Sequence, residues 1–308
     1  MAAALAYASP LNLLAQPAVL VAAILTLLPL FGAGFFPAAA LQLRTKLPKS
    51  ALLLGPAALC LPYLLVALSF GSFSWVWLAL YALLPIAIAC LLDQARTADP
   101  DQKGNWRDFL LLLALGLAVD LRWFETAWPA GLSAFGKILL LDAGLFGFVA
   151  VRQLDGVGFD LRLTWRDLGF GLREFLLFAP IAIALGLTLG FLKFHPTWPS
   201  LPQFLGAYLF TFLFIAIPEE IFFRGWMQNL LERRLGPRFG RNGALIATAL
   251  LFGVAHWNKR ALHFNWRYVL LAMIAGIFYG RAWRQERRVW ASVVTHATVD
   301  TVWSFWLR

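Results

Sequence analysis

The 308-residue chain is 61% hydrophobic and only 14% charged, with a mean hydropathy of +0.72. Soluble domains carry roughly 25% charged residues. The apolar runs here reach membrane length, which predicts an all-α, polytopic transmembrane helical bundle and excludes a barrel built of short alternating strands. The net charge of +10 fits basic cytoplasmic loops of a membrane protein, and a nucleic-acid partner is not expected.

Taken in chain order, apolar segments fall at 17–42, 51–70, 74–92, 109–119, 138–151, 169–192, 203–232, 242–257, 267–283 and 289–306. The fourth and fifth are short and flank Asp120-Leu-Arg-Trp-Phe-Glu125, so eight to ten spans are expected. No Lys or Arg occurs in the first sixteen residues, so no signal peptide is expected and the first helix stays in the mature protein. Cys60 and Cys90 lie in apolar segments without CxxC spacing and read as small buried hydrophobes.

Basic residues gather in alternate loops: Arg44, Lys46 and Lys49, then Arg96, Lys103 and Arg107, then Arg152, Arg162 and Arg166. Arg233, Arg234, Arg238 and Arg241 follow, then Arg281, Arg284, Arg287 and Arg288. That bias places these loops in the cytoplasm and the amino terminus outside. Trp198, Trp257, Trp266 and Tyr268 near segment ends suit an interfacial belt. With the residue usage, this gives a multi-pass protein of the bacterial inner membrane. Polar motifs begin only after the composition shifts near 165. Residues 1–165 therefore read as an accessory transmembrane region and 166–308 as the functional core.

Three motifs carry chemistry within that core. The first is Ile217-Pro-Glu-Glu-Ile-Phe-Phe-Arg-Gly225, in an apolar stretch, where an ionisable residue is a functional-site hypothesis by default. On a helix Glu220 and Arg224 are spaced i,i+4 and pair, while Pro218 kinks the helix. Glu219 points about 100° away and lacks that partner, which suits a general base that takes and returns a proton near neutral pH. Glu220 and Arg224 then form its structural frame. The second motif, Phe252-Gly-Val-Ala-His256, lets the ring pack on the imidazole. The third, His296-Ala-Thr-Val-Asp300, places a carboxylate and an imidazole on one face. At 1.5 Å per residue, Glu219 and His256 both lie about 20 Å from the shared basic loop, so adjacent helices bring them to one level. His195 and His263 fall in loops and receive no role. Arg173 and Glu174 read as a solvated helix start.

These residues resemble the CPBP intramembrane proteases, the CAAX-processing and bacteriocin-immunity (Abi) group that includes Rce1-type prenyl endopeptidases. The family pattern of EExxxR, FxxxH and HxxxN or HxxxD is matched over about the last hundred residues. Here it reads Glu219-Glu220-Ile-Phe-Phe-Arg224, Phe252-Gly-Val-Ala-His256 and His296-Ala-Thr-Val-Asp300. The resemblance implies an integral-membrane endopeptidase of the glutamate type, a group historically placed with metalloproteases. Glu219 and His256 would activate a water for attack on a peptide carbonyl, and His296 with Asp300 would stabilise the oxyanion. Phe252, Glu220 and Arg224 would support them. The implied partners are a peptide or protein substrate, membrane-anchored or lipidated, and the bilayer. No cofactor is implied. An ionised Asp300 cannot donate a hydrogen bond, so it either orients His296 or occupies the place of a donor. The first 165 residues carry no such resemblance.

Three other readings use the same residues. Glu219, His256 and His296 would also make a Zn²⁺ site with an open position, although HExxH is absent. A non-catalytic scaffold or immunity protein would use the cavity to bind a peptide. A transporter is compatible with Pro218 and buried carboxylates, but two-half symmetry is not visible.

Overall fold

The computed structural model describes residues 16–258 and 264–307, and every regular element among them is a helix. The chain forms two compact units, Met1–Asp155 and Gly156–Arg308. His263, Lys259 and Arg260 lie outside the described residues.

The first unit contains α1 (Pro17–Phe35), α2 (Pro37–Lys46), α3 (Lys49–Leu54) and α4 (Leu61–Ser69), the last two joined by a 3₁₀ turn at Gly55–Cys60. It continues with α5 (Trp75–Ala98), α6 (Trp106–Asp120) and α7 (Ala134–Leu145), which runs into a π-helical turn at Phe146–Val151. Proline opens α1 and α2, where its missing N–H satisfies no helical bond anyway. Asn105 and Asp108 cap the start of α6 reciprocally. Cys60 and Cys90 are free thiols and half-buried, less enclosed than their apolar surroundings in sequence predict.

A buried ion cluster closes the loop between α5 and α6. Arg152 Nε contacts Asp108 Oδ1 at 3.0 Å, Nη2 contacts Asp99 Oδ2 at 2.7 Å, and Nη1 donates to the Asp99 carbonyl. Arg152 and Asp108 are fully buried. Arg152→Met strands Asp108 without its cation, and losing one member of a buried pair costs about 3–5 kcal/mol in soluble proteins. A clear fall in melting temperature is expected, and an unchanged one would remove the cluster from the account of stability.

The second unit begins its helices with α8 (Trp165–Thr188), capped by the reciprocal Thr164–Asp167 pair. The next helical stretch runs through α9 (Leu201–Thr211), a π turn at Phe212–Ala216, α10 (Ile217–Glu220), a second π turn at Ile221–Gln228, and α11 (Asn229–Val254). Two long helices follow, α12 (Trp266–Glu286) and α13 (Val289–Trp306). Pro218 stands at the second position of α10. It offers no N–H to the ladder and its ring crowds the preceding turn, and the helix is widened into π turns on both sides. Gly240, at φ 68°, breaks α11 within the expected basic loop, so this stretch makes two legs.

Among the described residues, six helical stretches are long and apolar enough to cross a membrane: Pro17–Phe35, Lys49–Ser69, Trp75–Ala98, Ala134–Val151, Trp165–Thr188 and Leu201–Val254. The last contains the break at Gly240. The expected fourth segment is α6, only 15 residues long. The two final helices have the length, 21 and 18 residues, but carry the polar groups of the site described next. The protein is an all-α, polytopic membrane protein.

Three helices hold the site in register. Gly171 of α8 admits α13 so closely that a Cβ there would stand 2.7 Å from the Ala291 carbonyl oxygen. Thr295 Oγ1 donates to the Gly171 carbonyl at 3.0 Å. Glu174, expected on a solvated helix start, is instead fully buried, with Arg173 Nη2 at 2.7 Å and Arg281 Nε at 3.1 Å. The two arginines supply the charge that makes its burial tolerable.

Candidate active site

Glu220 sits at the centre of the polar cluster. It is fully buried, and its Oε2 accepts from Arg224 Nε at 2.9 Å, as the i,i+4 spacing predicts. Its other oxygen, Oε1, lies 2.8 Å from His296 Nδ1. A carboxylate already paired with a guanidinium is an acceptor, so His296 carries its proton on Nδ1 and donates it to Glu220. Glu220 therefore does more than neutralise Arg224: it sets the tautomer and the direction of an imidazole 76 residues away in sequence.

His296 turns its Nε2 toward two further carboxylates. Asp300 Oδ2 is 3.6 Å away and Glu219 Oε2 is 3.9 Å away. Asp300 thus shares a face with His296 as expected, but the shorter contact, on the opposite nitrogen, comes from Glu220. Glu219 is not the isolated carboxylate expected from helix geometry. Its side chain is 26% exposed and stands against His296, while Glu220 and His296 are almost wholly enclosed.

Aromatic rings fix both imidazoles. Tyr279 stacks on His296 with ring centroids 4.7 Å apart and planes 19° from parallel. Phe252 meets His296 edge-on at 5.9 Å and packs on His256 at 4.8 Å. The guanidinium of Arg224 lies over the rings of Phe252 and Tyr279, at 5.2 and 5.9 Å. Such cation–aromatic contacts help a charge that has left water. The ring of Phe252 thus touches both imidazoles and the Arg224 guanidinium, and with them the second and third motifs and the end of the first.

His256 Nδ1 lies 2.7 Å from the Phe252 carbonyl oxygen, which accepts only. Nδ1 is therefore the protonated nitrogen, and in the neutral ring Nε2 keeps its lone pair. Tyr268 packs edge-on against this ring at 5.0 Å, so its expected place in an interfacial belt is only part of its role. A cavity of ≈ 80 Å³ is bordered by His256, His296, Asp300, Tyr268, Tyr279 and Phe252 at one end, and elsewhere almost wholly by apolar side chains. Glu219 is not among its lining residues, but it stands 3.9 Å from His296, which is.

All seven residues singled out from the sequence thus lie in one connected cluster. Sequence reasoning missed Tyr279, which lies in an apolar stretch of α12 with no spacing signal, and the bond between Glu220 and His296. His195 is exposed and lies outside the cluster. Among the described residues, no group of three or more His, Cys, Asp or Glu side chains is arranged to hold a metal ion.

Residues 201–302 match the model of the family described as Type II CAAX prenyl endopeptidase Rce1-like. That span takes in all three motifs and the whole cluster. No curated protein and no solved structure matches the chain.

Proposed function

Because residues 201–302 match the model of the Rce1-like endopeptidase family, we propose that the protein hydrolyses a peptide bond inside the membrane with a water activated by Glu219 and His256. The substrate is a peptide or protein held at the membrane by an anchor or lipid, and the host membrane is a bacterial inner membrane. Residues 166–308 form the catalytic core, with 1–165 accessory to it. The observation that carries this reading is the gathering of Glu219, Glu220 and Asp300 around His296, all within 3.9 Å of its ring nitrogens.

In this reading each group has a distinct task. Glu219, partly exposed beside His296, takes a proton from water while the water oxygen attacks the carbonyl carbon. His256 holds the same water through the lone pair on Nε2. The carbonyl oxygen becomes an oxyanion and meets His296 Nε2, which serves as donor when it too carries a proton. Glu220 keeps His296 in place from behind, and Asp300 supports it from the front. The proton on Glu219 then passes to the departing amine, so one water is consumed and the base is restored. The enclosing helices strengthen each of these interactions by excluding bulk solvent.

A panel of lipid-modified and unmodified peptides, incubated with the purified protein with and without strong chelators, tests this directly. Cleavage that persists under chelation is the expected result. Absence of cleavage would overturn the proposal in favour of a peptide-binding scaffold. Activity lost to chelators and restored by Zn²⁺ would reassign Glu219, His256 and His296 as ligands.

Asp300→Asn separates two roles for that residue. If the carboxylate supports His296 by its charge, turnover falls, and most at alkaline pH where the imidazolium form is least populated. A pH–rate profile at or above wild type from neutral through alkaline pH would instead make Asp300 the stand-in for a donor.

A further inference from the structure

Four buried polar residues follow one another at intervals of four along the widened helix: Glu220, Arg224, Gln228 and Glu232. The first three are fully enclosed and the fourth is 7% exposed. Glu220 and Arg224 are joined at 2.9 Å. Gln228 Nε2 donates to Glu232 Oε1 at 3.2 Å and to the Gly280 carbonyl at 3.3 Å. Glu232 in turn pairs with Arg284 at 2.6 Å and with Arg287 at 3.0 Å. Arg287 is 44% exposed, so the series runs from the catalytic cluster to the solvated, arginine-rich end of the unit.

The series is discontinuous at one place. Among the described residues, both terminal nitrogens of Arg224 lack a hydrogen-bond acceptor, and the next residue in the series, Gln228, has an Oε1 that lacks a donor. Buried donors and acceptors left unmade cost about 1–3 kcal/mol each, more for charged groups. They are the groups that internal water bridges in proteins. Gly280 lets the Gln228 amide lie close to the α12 backbone: a Cβ there would come within 2.5 Å of Gln228 Oε1. The cavity on the other side of His296 is lined mostly by apolar groups and is a poor route for water.

We infer that Glu220, Arg224, Gln228 and Glu232 form a hydrated file that carries water from the arginine-rich end to the catalytic cluster, with Gln228 as its gate. The inference rests on the proposed hydrolysis for its purpose, since each turnover consumes one water in an otherwise apolar site. The file itself is a property of the side chains and is measurable without any substrate.

Radiolytic hydroxyl-radical labelling generates radicals from water in place and so marks side chains beside internal water. Trp283 is fully buried and lies under the Arg287 guanidinium at 4.6 Å, at the far end of the file. It serves as reporter in preference to Tyr279, which also borders the cavity. Tyr81 and Trp128 are the controls: both are buried, and the Trp128 indole N–H donates to the Tyr81 hydroxyl at 2.7 Å. The expected result is strong oxidation of Trp283 but not of the controls, reduced in Gln228→Leu. Labelling of Trp283 no greater than that of the controls would overturn the file, whatever the peptidase assay shows. In that assay Gln228→Leu should lower kcat at least about tenfold with KM little changed, a barrier increase near 1.4 kcal/mol. Gln228→Asn, which keeps an amide and leaves room for a further water, should recover most of the rate. An active wild type with an equally active Gln228→Leu would also refute the inference. An inactive wild type that still labels Trp283 would instead fault the proposed hydrolysis.

Discussion

Glu220→Ala is expected to lose both stability and activity, more than any other single change in the site. The substitution leaves the Arg224 guanidinium buried without its anion, and breaking such a pair by removing one partner costs about 3–5 kcal/mol in soluble proteins. It also removes the group that receives the Nδ1 proton of His296 at 2.8 Å. A melting curve in detergent reads the first effect and peptide turnover the second. The double change Glu220→Gln with Arg224→Met should be milder for stability, because no uncompensated charge remains. Its activity should stay low, because the introduced amide would hold His296 without a carboxylate's charge. A Glu220→Ala protein as stable as wild type would show that the pair does not support the fold.

Glu219→Ala and His256→Ala should each lower kcat by about 10²–10⁴, the usual contribution of a positioned acid or base. Their stability should change far less than that of Glu220→Ala. Glu219 is 26% exposed and stands 3.9 Å from His296, outside the fully buried Glu220–Arg224 pair. His256→Ala removes the bond to the Phe252 carbonyl and the ring contact with Phe252. Parallel measurement of melting temperature and turnover separates the two classes. Near-wild-type turnover in either variant would remove that residue from the chemistry.

The contrast between Glu219 and Glu220 shows how far the sequence could be read. Helical spacing alone paired Glu220 with Arg224, as in the structure, but it also turned Glu219 away from any partner, whereas Glu219 stands 3.9 Å from His296. Composition was enough for the all-α membrane architecture, because apolar runs in lipid have few other ways to satisfy their backbone. Spacing could not show that Glu220 also holds His296. That bond joins residues 76 apart, and nothing local in either motif encodes it. Tyr279 was hidden for the same reason, since its stacking on His296 depends on how α12 packs against α13. Glu174 misled in the opposite direction: beside Arg173 it looks solvated, and only the distant Arg281 explains why it is buried. The π turns around Pro218 were also beyond spacing rules, which assume a regular helix. They nonetheless leave the Glu220–Arg224 contact intact at 2.9 Å.

Hydrolysis in water enriched with ¹⁸O tests the central claim most directly. If a free water attacks the carbonyl, single-turnover cleavage by the wild-type protein places one ¹⁸O atom in the new carboxylate of the peptide product. No covalent peptide–protein intermediate should accumulate, and Glu219→Gln should yield no labelled product. A trapped acyl-protein intermediate, or labelled product formed equally well by Glu219→Gln, would contradict the account.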